Sequence, residues 1–225
     1  MSYVIGSGYI GGDKGREKFY DIWAENLYRN PDVDAAHTYV SCSRNQEPPR
    51  DDYWITKIKV NGNLGHICRD DSQRHQLEGW ACDVMLTALI AYNDESDFLF
   101  IEQDCLAFGP FVSTLQKECG EEGMIFGSNS WMPSAQALFY VRHAFIPEFV
   151  HTYLGKKIKD RKIGGEDAFK QIETEYGSKI KRMSFGFDRD RPKGWLEEVA
   201  SGKPCYLQQI SLAEITQLRN SGAIV

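Results

Sequence analysis

The segment DFLFIEQDCLAFG places two carboxylates, Glu102 and Asp104, directly behind the apolar run Phe98–Ile101. Residues two apart on an extended strand point to the same side, so this spacing predicts that both carboxyl groups converge on one point. Two converging carboxylates repel each other unless a proton or a cation stands between them. A divalent cation suits such a pair. Mg²⁺ is held by one or two protein carboxylates, with waters and phosphate oxygens completing its octahedron, and Mn²⁺ accepts similar oxygen sites. The plainer reading is two solvated acids at a strand end. Context separates the readings: a continuous apolar run predicts a central strand covered on both faces, and open α/β sheets collect their ligands at the carboxyl ends of such strands.

A second acidic pair, Glu166 and Asp167, follows Gly164 and Gly165 at the mouth of a predicted helix, GGEDAFKQIETEYG. Acids in a first helical turn meet the positive end of the macrodipole, which explains them on stability grounds alone.

The elements that must position these groups alternate in type. SYVIG reads as a strand and REKFYDIWAENLYRN as the helix after it, ended by Pro31; AAHTYVSCS is a second strand and WITKIKV a short third one. SQRHQLEGWACDVMLTALIAYN carries Leu77, Ala81, Val84, Ala88 and Ala91 at helical spacing and delivers the chain to the carboxylate strand. Beyond it come a helix near FVSTLQKEC, strands GMIFGSN and AQALFYVRH, the helical stretch IPEFVHTYL and the GGED helix. Ser211 and Glu214 have capping-box spacing, so SLAEITQLRNSG reads as a last helix closed by Gly222. This alternation predicts an α/β fold with a mostly parallel sheet flanked by helices in a single domain.

The opening residues GSGYIG match the G-x-G-x-x-G spacing of dinucleotide-binding turns. The third glycine of that fingerprint should lie inside a helix, yet Gly12 and Gly15 follow closely and helical periodicity begins only at Phe19, with Ile22, Trp23 and Leu27 on one face. An acid should also end the second strand to hold a ribose, and HTYVSCSRN ends in Ser43, Arg44 and Asn45. The glycines therefore read as a flexible strand-to-helix loop, with an NAD(P)-binding oxidoreductase or epimerase as the alternative.

Composition narrows the remaining classes. Of 225 residues, 42% are hydrophobic and 26% charged, which is ordinary for a globular domain. A net charge of −6 argues against broad nucleic-acid binding. The six cysteines (42, 68, 82, 105, 119 and 205) form no C-x-x-C pair and read as small core residues, so no zinc site is expected. With no signal peptide ahead of Tyr3 and no apolar run of membrane-spanning length, the expected setting is reducing and cytoplasmic.

DFLFIEQDCLAFGP resembles the metal-binding D-x-D segment of GT-A glycosyltransferases, with Glu102 in place of the first Asp. The later SAQALFYVRHAFIPEF followed by GGEDAF extends the resemblance over most of the chain. It implies a GT-A fold with a donor-binding half at 1–105 and an acceptor-side half at 106–225, and a UDP- or GDP-sugar donor with a glycan, protein or small-molecule hydroxyl acceptor. Asp104 would hold the Mn²⁺ or Mg²⁺ that bridges the donor diphosphate, and Glu102 would contact that metal directly, through water, or reach the donor ribose. Gly8 and Tyr9 would lie against the base or ribose. Arg69 and Arg74 would bind the diphosphate, although each has an equal claim to a surface pair with Asp70 or Asp71. Asp167, with Glu166 as alternate, would be the base that deprotonates the acceptor. Trp131 would contact the acceptor; Trp195 and Tyr140 read chiefly as core or interface residues. Many GT-A enzymes add a late histidine as metal ligand, and here all five histidines precede residue 152. Asp188 and Asp190 are then the loop candidates for completing the shell, and His143 reads as a structural residue. A non-catalytic nucleotide- or carbohydrate-binding module is a third reading. A glycoside hydrolase ranks last, because its two carboxylates must flank a bond rather than adjoin on one strand.

Overall fold

The computed structural model describes residues 2–9, 14–43, 46–48, 50–60, 79–127, 135–159, 165–187 and 190–224. Arg69, Arg74, Trp131 and Asp188 lie outside these residues. Strand β1 (Tyr3–Tyr9) runs into α1 (Lys14–Arg29), followed by β2 (His37–Ser43), β3 (Ile55–Val60), α2 (Gly79–Asn93) and β4 (Asp97–Ile101). Helix α1 starts two residues before Arg16 and takes in Gly15, a position in its first turn. A short β5 (Leu106–Phe108) precedes α3 (Phe111–Cys119), β6 (Met124–Gly127), β7 (Ala135–Val141), α4 (Ile146–Lys159) and α5 (Gly165–Tyr176). The chain then adds β8 (Ile180–Arg182), α6 (Trp195–Ala200), β9 (Cys205–Leu207) and α7 (Leu212–Asn220).

Seven strands form one sheet in the order β3-β2-β1-β4-β7-β6-β8. All pairings are parallel except those of β7, which runs against both β4 and β6. This is the mostly parallel α/β sheet expected from the alternation of elements. One apolar layer packs α1, α3 and the C-terminal elements on one face, around Tyr9, Trp23, Leu106, Phe111 and Leu218. The other packs α2, α4 and α5 around Val84, Phe100, Phe139, Phe149 and Phe169. Strand β4 is buried along its whole length, as its apolar run requires.

The small β5-β9 sheet, β8 and α6 have no counterpart among the expected elements. At three residues each, β5, β8 and β9 are too short for a period to register. The Ser211–Glu214 capping box forms as its spacing predicts, and Gly222 adopts a left-handed φ of 76° just past the end of α7.

The end of the sheet opposite the β4 carboxylates is closed by a buried ion pair. Asp97 accepts from Arg142 Nη1 at 2.9 Å, from the Tyr140 hydroxyl at 2.6 Å and from the His143 backbone N–H at 2.7 Å. His143 stacks on Tyr92 and is thus a structural residue at a strand end. Tyr140 is fully buried here, so it is core and not a sugar platform.

Candidate active site

Strand β4 ends at Ile101, and the chain turns at once. The Cys105 N–H donates to the Glu102 carbonyl at 3.0 Å, closing a four-residue turn over Glu102–Cys105. The carboxylates therefore stand on a turn, and the extended geometry expected from their spacing does not hold. Three contacts fix this turn. The Glu102 N–H donates to Ala137 on β7 at 2.8 Å, the Ile210 N–H donates to the Asp104 carbonyl at 2.9 Å, and Cys105 is wholly buried beneath. Both carboxylate residues are half-buried. The Cys105 thiol is pushed well up, first by burial and then by the negative fields of Asp104 and Glu102, with Arg191 acting in the opposite sense.

Arg191 anchors the segment that holds the turn. Its Nε donates to Glu214 Oε1 at 2.7 Å, Nη1 to the Phe187 carbonyl at 2.9 Å and Nη2 to the Gln208 carbonyl at 2.8 Å. The other Glu214 oxygen accepts from the Ser211 N–H at 2.8 Å and its hydroxyl at 2.7 Å. One guanidinium therefore ties the 187 loop, β9 and the cap of α7 into the support for Asp104. No motif marked Arg191; its position beside Asp190 in FGFDRDRP was the only hint.

The amino end of α5 reaches the same rim. Phe169 packs edge-on to Phe139 and Phe126, and lies 6.0 Å ring to ring from Trp80. Trp80, in the first turn of α2, in turn stands 5.6 Å from Phe100, two residues before Glu102. Asp167, two residues before Phe169, is exposed at this end. Glu166 occupies the same first turn. Asp190 is exposed on the loop that Arg191 anchors, and Trp195 opens α6, half-buried against the core.

The opening glycines have a packing role of their own. A Cβ on Gly6 would overlap the Thr87 side chain, and one on Gly8 would overlap the Asp83 carboxyl. Both neighbours belong to α2, so the glycines allow that helix to close on β1. Tyr9 is 2% exposed, with its ring edge-on to Tyr20 in the core. Any ligand contact from Gly8 and Tyr9 must then come through backbone.

Two carboxylates on a fixed, partly exposed turn are a donor set that suits a hard divalent cation. Among the described residues no third His, Cys, Asp or Glu joins them as a cluster. A cavity of about 680 Å³, lined in part by Ile22, Asn26, Phe108 and Ile224, lies elsewhere and includes neither carboxylate. Of the described cysteines, Cys42, Cys105, Cys119 and Cys205 are buried and Cys82 is half-buried, and none is in a disulfide. No helix among the described residues is long and apolar enough to cross a membrane.

No protein-family model matches this chain, and no curated protein matches it. Solved structures do. The galactosyltransferase LgtC, in complex with donor and acceptor sugar analogs, superposes with a TM-score of 0.58 at 10% identity, over 100% of this chain and 96% of that one. A glycosyltransferase involved in glycosylation of the major capsid of PBCV-1 gives 0.55 at 10%, over 98% and 100%. The glycosyltransferase GlyE of Streptococcus pneumoniae TIGR4 gives 0.54 at 11%; it covers 94% of this chain, which spans only 55% of GlyE. The chain thus has the single-domain α/β fold of these GT-A glycosyltransferases.

Proposed function

We propose that this protein is a glycosyltransferase that moves a sugar from a nucleotide-sugar donor to a hydroxyl acceptor, assisted by a divalent cation. One observation carries the reading: a pinned carboxylate turn ends the buried central strand β4, on the rim reached by α5's amino end, in a fold shared with glycosyltransferases. Fold alone does not assign chemistry, and the turn is the feature that points to a reaction.

Asp104 and Glu102 would hold Mn²⁺ or Mg²⁺, which supplies Lewis-acid stabilisation of the leaving nucleoside diphosphate. The turn's three contacts fix the backbone that carries both carboxylates before substrate arrives. Asp167 takes the proton from the acceptor hydroxyl as its oxygen attacks the anomeric carbon, with Glu166 as the alternate base. That assignment entails inversion at the anomeric carbon. Arg69 and Arg74 would meet the diphosphate, the backbone at Gly8 and Tyr9 the nucleoside, and Trp131 the acceptor. In this division residues 1–105 form the donor half and 106–225 the acceptor half.

The test is a panel of UDP- and GDP-sugars screened by thermal shift with and without Mn²⁺. The reading expects a Mn²⁺-dependent rise in melting temperature with at least one donor, lost in Asp104→Ala although that variant folds. If Asp104→Ala responds like the parent, the cation assignment is wrong. Slow Mn²⁺-dependent release of nucleoside diphosphate without acceptor separates an enzyme from an idle binding module. Asp167→Asn should lower turnover with little effect on donor affinity.

A further inference from the structure

The carboxyl group of Asp83 has no part in the reaction just described, yet the fold makes room for it at a cost. Asp83 lies in the second turn of α2 and is 5% exposed. The Ser41 hydroxyl donates to its Oδ1, and that same hydroxyl oxygen lies 3.3 Å from the Ser7 carbonyl. Oδ2 accepts no hydrogen bond from any described residue and rests on the Gly8 backbone, in the space a Cβ would fill. A buried carboxyl with one donor is unfavourable to the folded state, and so is a glycine inside a central strand. An asparagine or serine would fill this space with less desolvation.

Its position gives it a use. Gly6 pairs with Phe100, the last registered pair before β4 ends and turns at Glu102, so Gly8 lies at the end of β1 next to the acidic turn. Gly8 also pairs with Ser41 on β2. Asp83 therefore sits at the carboxyl ends of β1 and β2, on the rim that carries the acidic turn. In dinucleotide-binding sheets an acid at the end of the second strand holds the ribose. The end of β2 has no acid here, and α2 brings one to it, hydrogen-bonded to the β2 serine.

We propose that Asp83 is a recognition residue for the nucleoside part of a nucleoside-diphosphate donor, with Oδ2 accepting a hydrogen bond from a ribose hydroxyl or a base N–H and Ser41 fixing the carboxyl's orientation. The proposal rests on the nucleotide-sugar reading above. The nucleoside is singled out because a carboxylate repels phosphate oxygens, which leaves hydroxyl and N–H groups as its partners in such a ligand.

Isothermal titration tests it with three probes, each with Mn²⁺: UDP, GDP and inorganic pyrophosphate. Asp83→Asn should bind the preferred nucleotide about 10- to 100-fold more weakly than the parent, the loss typical of one hydrogen bond to a charged acceptor, and bind pyrophosphate unchanged. Its melting temperature should equal or exceed the parent's. Asp83→Ser, which also removes the acceptor over Gly8, is the second variant should the amide disturb the core. The 2′-deoxynucleotides distinguish the partners. If they bind the parent more weakly and Asp83→Asn erases that difference, the ribose is read; if the difference persists in the variant, the base is read. Equal nucleotide affinity in parent and variant overturns the Asp83 assignment alone, as does an equal loss for nucleotide and pyrophosphate. A parent that binds pyrophosphate but neither nucleotide overturns this assignment and the donor reading together.

Discussion

Replacing Arg191 with alanine should be among the most damaging single changes at this end of the molecule. The side chain is 7% exposed and makes charge-assisted hydrogen bonds to Glu214, Phe187 and Gln208 among the described residues. Its removal leaves two carbonyls short of a donor and Glu214 without its cation. Breaking a buried pair in this way costs about 3–5 kcal/mol. In a domain of this size each kcal/mol lowers Tm by about 2–4 °C, so the drop should be roughly 6–20 °C by calorimetry. The lysine variant keeps the charge and loses the fork, and should recover less than half of the deficit. The effect has a pH signature. Burial raises the Glu214 carboxyl, but hydrogen bonds from Ser211 and the field and hydrogen bond of Arg191 outweigh it, so its value lies below the ordinary 4.5. Stability from a carboxyl held low is present above its unfolded value and lost as pH falls through its folded value. The gap between parent and Arg191→Ala should then narrow below pH 4.5. A Tm within about 2 °C of the parent at neutral pH would refute the account of Arg191 as the anchor of this segment.

Three further outcomes are expected. Burial raises the Asp83 carboxyl well above the ordinary 3.8, and the Ser41 hydrogen bond offsets this only in part; stability therefore falls as pH rises from the unfolded value through the folded one, and Asp83→Asn should gain on the parent in melts from pH 4 upward. Gly6→Ala should destabilise by about 1–3 kcal/mol in urea melts, because its methyl would overlap Thr87 beneath a packed helix. Asp97→Ala should cost about 3–5 kcal/mol by stranding Arg142, while leaving the Mn²⁺-dependent response to nucleotide intact, since it acts at the opposite end of the sheet.

What could be read from residue order was whatever left a period or a local signature. The apolar run Phe98–Ile101 announced the central strand, and Ser211 with Glu214 announced the last helix. Sequence spacing brought Glu102 and Asp104 together but not their backbone, because the turn is set by partners at 137 and 210, far along the chain. GSG looked like a ligand loop for a similar reason. A glycine required by a helix pressing on a strand is spelled the same way as one required by a phosphate, and only the positions of Thr87 and Asp83 tell them apart. Arg191 was invisible because its acceptors at Phe187 and Gln208 are backbone carbonyls, which carry no side-chain identity.

The hydrogen bond from Ile210 to Asp104 also orders events during synthesis. The large sheet is complete once the ribosome has passed Arg182, whereas the acidic turn acquires its last support only after β9 and residue 210 have emerged. A nascent chain therefore makes the strands of its sheet before the acidic turn gains its last support, and a release variant stopped at residue 204, which also lacks the buried Tyr206, Leu207, Ile210, Ile215 and Leu218, should fail to show the proposed response to Mn²⁺ and nucleotide.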